Sequence, residues 1–106
     1  MMSARDRHIF ESFAARVRER FPTAKVWAFG SRARGDATRE SDLDICVVVE
    51  GLKHDDRQTI RHVGWEVGFE HDTIICTVIY GKDAFEQGPC SESPLVRNIL
   101  REGIPA

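Results

Sequence analysis

A small α/β (α+β) domain, with helices packed on a mixed β-sheet, is what this sequence predicts, and three observations predict it. Two amphipathic stretches at helical spacing, residues 3–20 and 54–69, are interleaved with three short apolar runs rich in β-formers. Each apolar run is closed by a glycine, at Gly30, Gly51 and Gly81. A last stretch, "SPLVRNILREGIP", carries helix start and stop signals at its two ends. The 106 residues suit a single domain over positions 1–106 that buries roughly two thirds of the surface its unfolded chain exposes.

Taken in order, residues 3–20 form the first expected helix. Ser3 and Asp6 make a possible capping box, and Ile9, Phe10, Phe13, Ala14 and Val17 recur on one face, leaving the arginines between them to water. Phe21-Pro22 breaks it, and "KVWAFG" is a short strand on which Trp27 and Phe29 share a face. Residues 31–41 are small and polar, a loop with room for one helical turn. "DLDICVVVE" is apolar for most of its length, as a strand buried on both faces is.

From His54 to about Phe69, Ile60, Val63, Gly64 and Val67 repeat at helical steps, with a weak spot at Gly64. "TIICTVIY" is the most β-branched run and predicts a third strand. The closing helix has Ser93 as N-cap, Pro94 at its first position, Gly103 as stop and Pro105 beyond, and is expected to dock through Leu95, Val96, Ile99 and Leu100.

Composition narrows the function classes. The chain is 42% hydrophobic and 30% charged, an ordinary globule, and its net charge of −2 gives no broad cationic footprint for direct nucleic-acid binding. The cysteines, Cys46, Cys76 and Cys90, are odd in number, and Cys46 and Cys76 lie in apolar runs where a reduced thiol acts as a small hydrophobe. A reducing cytoplasm is expected. No apolar leader precedes "RDRH" and no run approaches the ~18 apolar residues of a membrane span, so neither secretion nor membrane anchoring is expected.

The chemistry concentrates in "AFGSRARGDATRESDLDICVVV", residues 28–49. Gly30 and Gly35 have the spacing of a P-loop, but Asp36 and Ala37 stand where that loop needs Lys and Ser or Thr. The glycine spacing of a dinucleotide fingerprint is also missing. The "RGD" tripeptide at Arg34–Asp36 reads as coincidence. What remains is an Asp-x-Asp pair, Asp42 and Asp44, at the start of a strand, where both carboxylates point to one face and can grip one cation. Mg²⁺ suits them: hard, oxygen-seeking and content with two carboxylates plus substrate phosphates.

Gly30 lets the backbone approach a ligand, Ser31 offers a hydroxyl and an N–H, and Arg34 can fork onto phosphate. The plain alternative is a solvated hairpin loop with Asp42 capping a turn. His54, His62 and His71 lack close metal-ligand spacing and read as helix-surface residues, and Cys46 as an inert buried thiol. Trp65 reads as packing or as part of a partner surface.

With "GS", ten residues and then "DLD", ungapped from Gly30 to Asp44, the chain resembles the minimal nucleotidyltransferases of the DNA polymerase beta superfamily. "SPLVRNILREGI" is similar to the tail of such proteins. The resemblance implies a nucleotidyltransferase-like fold in which Gly30 and Ser31 hold ATP while Asp42 and Asp44 bind Mg²⁺, two ions in the usual arrangement. It also implies transfer of AMP to an acceptor hydroxyl with release of pyrophosphate. The family adds a third carboxylate from a later strand. Asp72, in phase with Ile74, Cys76 and Val78, is the candidate, its alternative being a solvated turn residue.

Minimal members of the family resemble antitoxins that pair with a small helical HEPN-type toxin in a hetero-oligomer and silence it by adenylylation. The same residues leave two further readings open: a nucleotide-binding subunit that neutralises its partner by contact, and a small-molecule nucleotidyltransferase completed by a partner.

Overall fold

The computed structural model describes residues 1–36 and 41–106, and of Pro89 and Cys90 the backbone alone. The element order is α1 (Ala4–Arg20), β1 (Lys25–Phe29), α2 (Gly30–Arg34), β2 (Leu43–Val49), α3 (His54–Glu70), β3 (Ile75–Gly81), α4 (Lys82–Glu86), a 3-10 turn (Pro89–Glu92), α5 (Pro94–Glu102) and β4 (Ile104–Pro105). The sheet runs β3-β2-β1-β4. β2 pairs parallel to β3 and β1 antiparallel to β2 and β4, so the sheet is mixed as expected.

Alternation along β2 explains why that strand is apolar for most of its length. Leu43, Ile45, Val47 and Val49 point to one face, where Ile9, Phe10, Phe13 and Val17 of α1 and Ile60 and Val67 of α3 complete the main core. Cys46 and Val48 point to the other, where Phe85 of α4 and Val96 and Ile99 of α5 close a smaller core beside Trp27, Phe29 and Tyr80. Each large side chain buried here stabilises the fold by roughly 1.5–3 kcal/mol relative to an exposed one. Asp44 shares the second face with Cys46, at the end of the strand that α4 and α5 leave uncovered.

The Ser3 and Ser93 hydroxyls cap their helices by accepting from the N–H groups of Asp6 and Val96, but the expected Ser3–Asp6 capping box forms only in this half, the Asp6 carboxylate accepting from Arg32. Three expectations are corrected. The closing helix docks through Val96 and Ile99 alone, with Leu95 37% and Leu100 58% exposed, because a nine-residue helix presents only one narrow seam at i, i+3. Cys76, read as a small hydrophobe in an apolar run, is instead exposed, since β3 is an edge strand and α4 and α5 do not reach its first residues. The arginines of α1 are not all solvated: Arg16 pairs with Glu66 and Glu70 of α3, and Arg18 Nε donates to the Ala24 carbonyl at 3.1 Å.

Gly64 is less a weakness than a point of contact. A Cβ there would lie 3.3 Å from Thr77 Cγ2 and 3.5 Å from the Phe13 ring, so the glycine lets α3 lie close on β3 and α1. Among the described residues, no helix is long and apolar enough to cross a membrane.

Candidate functional site

β1 and β2 meet with Phe29 opposite Asp44, so the chain leaving β1 turns directly beside the aspartate. That turn is Gly30, at φ +78, and the single helical turn α2 follows it. A Cβ on Gly30 would come within 2.4 Å of Asp44 Oδ2. Only glycine therefore allows the Gly-Ser turn and the Asp44 carboxylate to share this space, and the positive φ makes the same demand independently. Ser31, half-buried, sits in the first turn of α2, its carbonyl accepting from the N–H groups of Gly35 and Asp36.

Asp42 lies exposed just ahead of β2 and Asp44 half-buried on it. Desolvation raises the Asp44 carboxyl above its ordinary range, and the charge of Asp42 raises it further. A carboxyl raised in this way, with a second carboxylate beside it at a Gly-Ser turn, belongs to a donor set that a hard divalent cation fits. Among the described residues no group of three His, Cys, Asp or Glu side chains is arranged to hold a metal, so oxygens from outside that set would complete the shell around Asp42 and Asp44.

The other named residues are less closely gathered. Arg34 is exposed and pairs with Asp36 at 3.3 Å instead of turning to the aspartates. Residues 37–40 of the motif's loop lie outside the described residues. Asp72 is not on β3 at all: it occupies the turn before the strand with φ 50, so the alternation that would put it in phase with Cys76 does not extend to it. It does line the same open groove as Asp42. The residue that register sets opposite Asp44 on β3 is Cys76, whose thiol is pushed up by burial and then by the charges of Asp44 and Asp42. Cys46, two residues further along β2, is fully buried and its thiol is pushed up to about 12, which keeps it inert as expected.

One residue of the site was missed from the sequence. Arg32, next to Ser31, is buried, its Nη1 donating to Thr73 Oγ1 at 2.7 Å and to Asp6 Oδ1 at 3.3 Å. It ties α2 to the start of α1 and to the approach to β3. The signal lay in helical phase: in the short helical turn Arg32 points inward and Arg34 outward, but the sequence does not show which carboxylate waits inside.

Comparison with known proteins bears on this geometry. The nucleotidyltransferase domain family matches residues 11–104, nearly the whole chain. This chain belongs to the nucleotidyltransferase domain family. The "Putative protein adenylyltransferase MJ0141" of Methanocaldococcus jannaschii is 34% identical over 59 residues, 55% of this chain and 60% of that protein. Human "Terminal uridylyltransferase 7" is 37% identical over 46 residues, 43% of this chain and 3% of that protein. The chain thus spans only part of each curated relative. A crystal structure from Sulfolobus solfataricus described as a "putative nucleotidyltransferase" superposes with a TM-score of 0.52 at 24% identity, covering 78% of this chain and 76% of that one, which shows the shared fold. The domain is thus of a transferase family, and the mixed sheet with its helices is that family's architecture.

Proposed function

We propose that this nucleotidyltransferase domain transfers AMP from ATP to a hydroxyl on a small helical HEPN-type partner, acting in the cytoplasm as the neutralising member of a toxin-antitoxin pair. The observation that carries the reading is the Asp44 carboxylate lying against the backbone of Gly30, beside Asp42. Gly30 and Ser31 would hold the triphosphate, and Arg34, freed from Asp36, would add its fork to the phosphates. Asp42 and Asp44 would hold Mg²⁺, one ion or two, which when bound neutralises phosphate charge and favours in-line displacement at the α-phosphorus.

In that displacement the acceptor oxygen forms a bond to the α-phosphorus, the bond from that phosphorus to the α,β-bridging oxygen breaks, and pyrophosphate leaves. The proton released by the acceptor needs a base, and Asp72 at the groove rim is the candidate within this chain. The "adenylyltransferase" in the name of the archaeal relative supports AMP, while the human relative is named for uridylyl transfer.

A second reading rests on its own observation: Cys76, not a carboxylate, stands opposite Asp44. It makes the chain a nucleotide-binding subunit that masks its partner by contact. Intact mass spectrometry of a co-purified HEPN-type partner, incubated with this protein, ATP and Mg²⁺, separates the two. The transferase adds one or more AMP units and Asp42→Asn adds none; an unmodified partner in a stable complex would establish masking by contact.

A further inference from the structure

Beside the site, an open groove of about 1030 Å³ runs along the β3 edge of the sheet, lined by Asp42, Ile74, Cys76 and Thr77 and by Trp65 and Phe69 of α3. Three of these are large apolar side chains left in water: Trp65 is 65%, Phe69 77% and Ile74 68% exposed. Trp65 and Phe69 stack with ring centroids 5.6 Å apart on the outside of α3. A contiguous exposed apolar surface of this kind marks a place where something binds.

The backbone says what kind of molecule. β3 is the edge strand of the sheet. The Leu43 N–H donates to the Ile74 carbonyl at 2.9 Å, so in this parallel ladder residues 74, 76 and 78 turn their main-chain groups toward β2. Residues 75, 77 and 79 turn theirs outward. Arg57 Nη1 covers the outward carbonyl of Ile79 at 2.8 Å, and among the described residues no corresponding partner meets Ile75 or Thr77. A short row of main-chain donors and acceptors, walled by apolar side chains, matches another polypeptide strand and neither a nucleic acid nor a small molecule.

Position says what that strand does. Asp42, one member of the aspartate pair, lines the groove together with Ile75 and Thr77, so a segment lying along Ile75–Thr77 shares that groove with Asp42. Asp42 and Asp72 disfavour an acidic residue beside them, while Arg32 and Arg61 in the same lining balance their charge over the groove as a whole.

We propose that the acceptor is delivered as an extended, apolar protein segment that adds to β3 as a fifth strand, its side chains seated on Trp65 and Phe69 and its hydroxyl residue brought to Asp42. This rests on the transferase reading above and specifies how its substrate binds.

The probe is the peptide acetyl-Val-Thr-Tyr-Thr-Val-amide, with a copy N-methylated at every central residue. NMR of the whole chain follows the amides, and ATP with Mg²⁺ is titrated separately at Ser31 and Asp44. The expected result is that the plain peptide slows hydrogen exchange at the Ile75 and Thr77 amides at least about tenfold. The N-methylated copy should leave exchange unchanged. Thr77→Pro removes an outward N–H that an edge strand can spare; it and Trp65→Ala/Phe69→Ala should each lose the peptide at least about tenfold while keeping ATP–Mg²⁺ binding.

Equal binding of both peptides, shifts elsewhere than β3, or undiminished binding by folded Thr77→Pro overturns the proposal. So does a wild-type dimer in sedimentation that Thr77→Pro dissolves, because the edge is then filled by a second copy. Peptide on β3 with no ATP–Mg²⁺ binding leaves the docking surface standing and removes the transferase reading instead.

Discussion

At the scale of single residues, the site is an exchange between Gly30 and Asp44. Any side chain at residue 30 meets the Asp44 carboxylate and a left-handed backbone at once. Gly30→Ala is expected to lose about 1–3 kcal/mol from the backbone alone, read in urea unfolding, and to weaken ATP–Mg²⁺ binding as the carboxylate is displaced. Asp44 behaves in the opposite way. Its carboxyl is raised in the folded chain, so the native state holds it ionised against a penalty that the unfolded chain does not have. In metal-free buffer at neutral pH, Asp44→Asn should therefore melt higher than the wild type while binding no Mg²⁺; a lower melting temperature would mean that the carboxylate stabilises the fold.

At the scale of elements, what could be read in the sequence and what could not divide by length. The 17-residue helices declare themselves by periodicity, and the buried faces of α1 and α3 include the residues their spacing selects except Val63, which is half-buried. The five-residue α4 and the two-residue β4, one of whose residues is proline, carry no period long enough to detect and exist because Phe85 and Ile104 have neighbours to pack on. The α5 caps were legible because they are chemistry within four residues. Ser93→Ala should cost about 1 kcal/mol in urea unfolding by leaving the Val96 N–H without its acceptor. The outward turn of Leu95 and Leu100 was not legible, since apolar type alone does not say which flank of a short helix meets the sheet.

At the scale of the whole molecule, α1 and α3 are joined across 54 residues by Arg16 and Glu70. The hydrogen bond and charge of Arg16 hold the Glu70 carboxyl below its ordinary range. A lowered carboxyl contributes stability above its unfolded pKa and loses it as pH falls through the folded one. Asp44, raised, works the other way, its penalty fading as the pH drops and the group takes up a proton. Arg16→Ala should therefore be less stable than the wild type at neutral pH, and the two melting curves should converge as the pH falls through the acid range; a gap that persists at low pH would assign the loss to packing by the Arg16 stem.

The sequence by itself determined which segments fold as long elements, where α1 and α5 begin, and that a glycine-serine turn follows one strand while two aspartates open the next. Those are local properties, fixed by spacing, capping and alternation over a few residues. The tertiary structure alone decided that Asp44 rests on Gly30, that Cys76 rather than Asp72 stands opposite it, that Arg32 turns inward to Asp6 and Thr73, and that β3 is the open edge. Each of these depends on register between strands or on contacts across 14 to 41 residues, and a one-residue change in register reverses which side chains share a face.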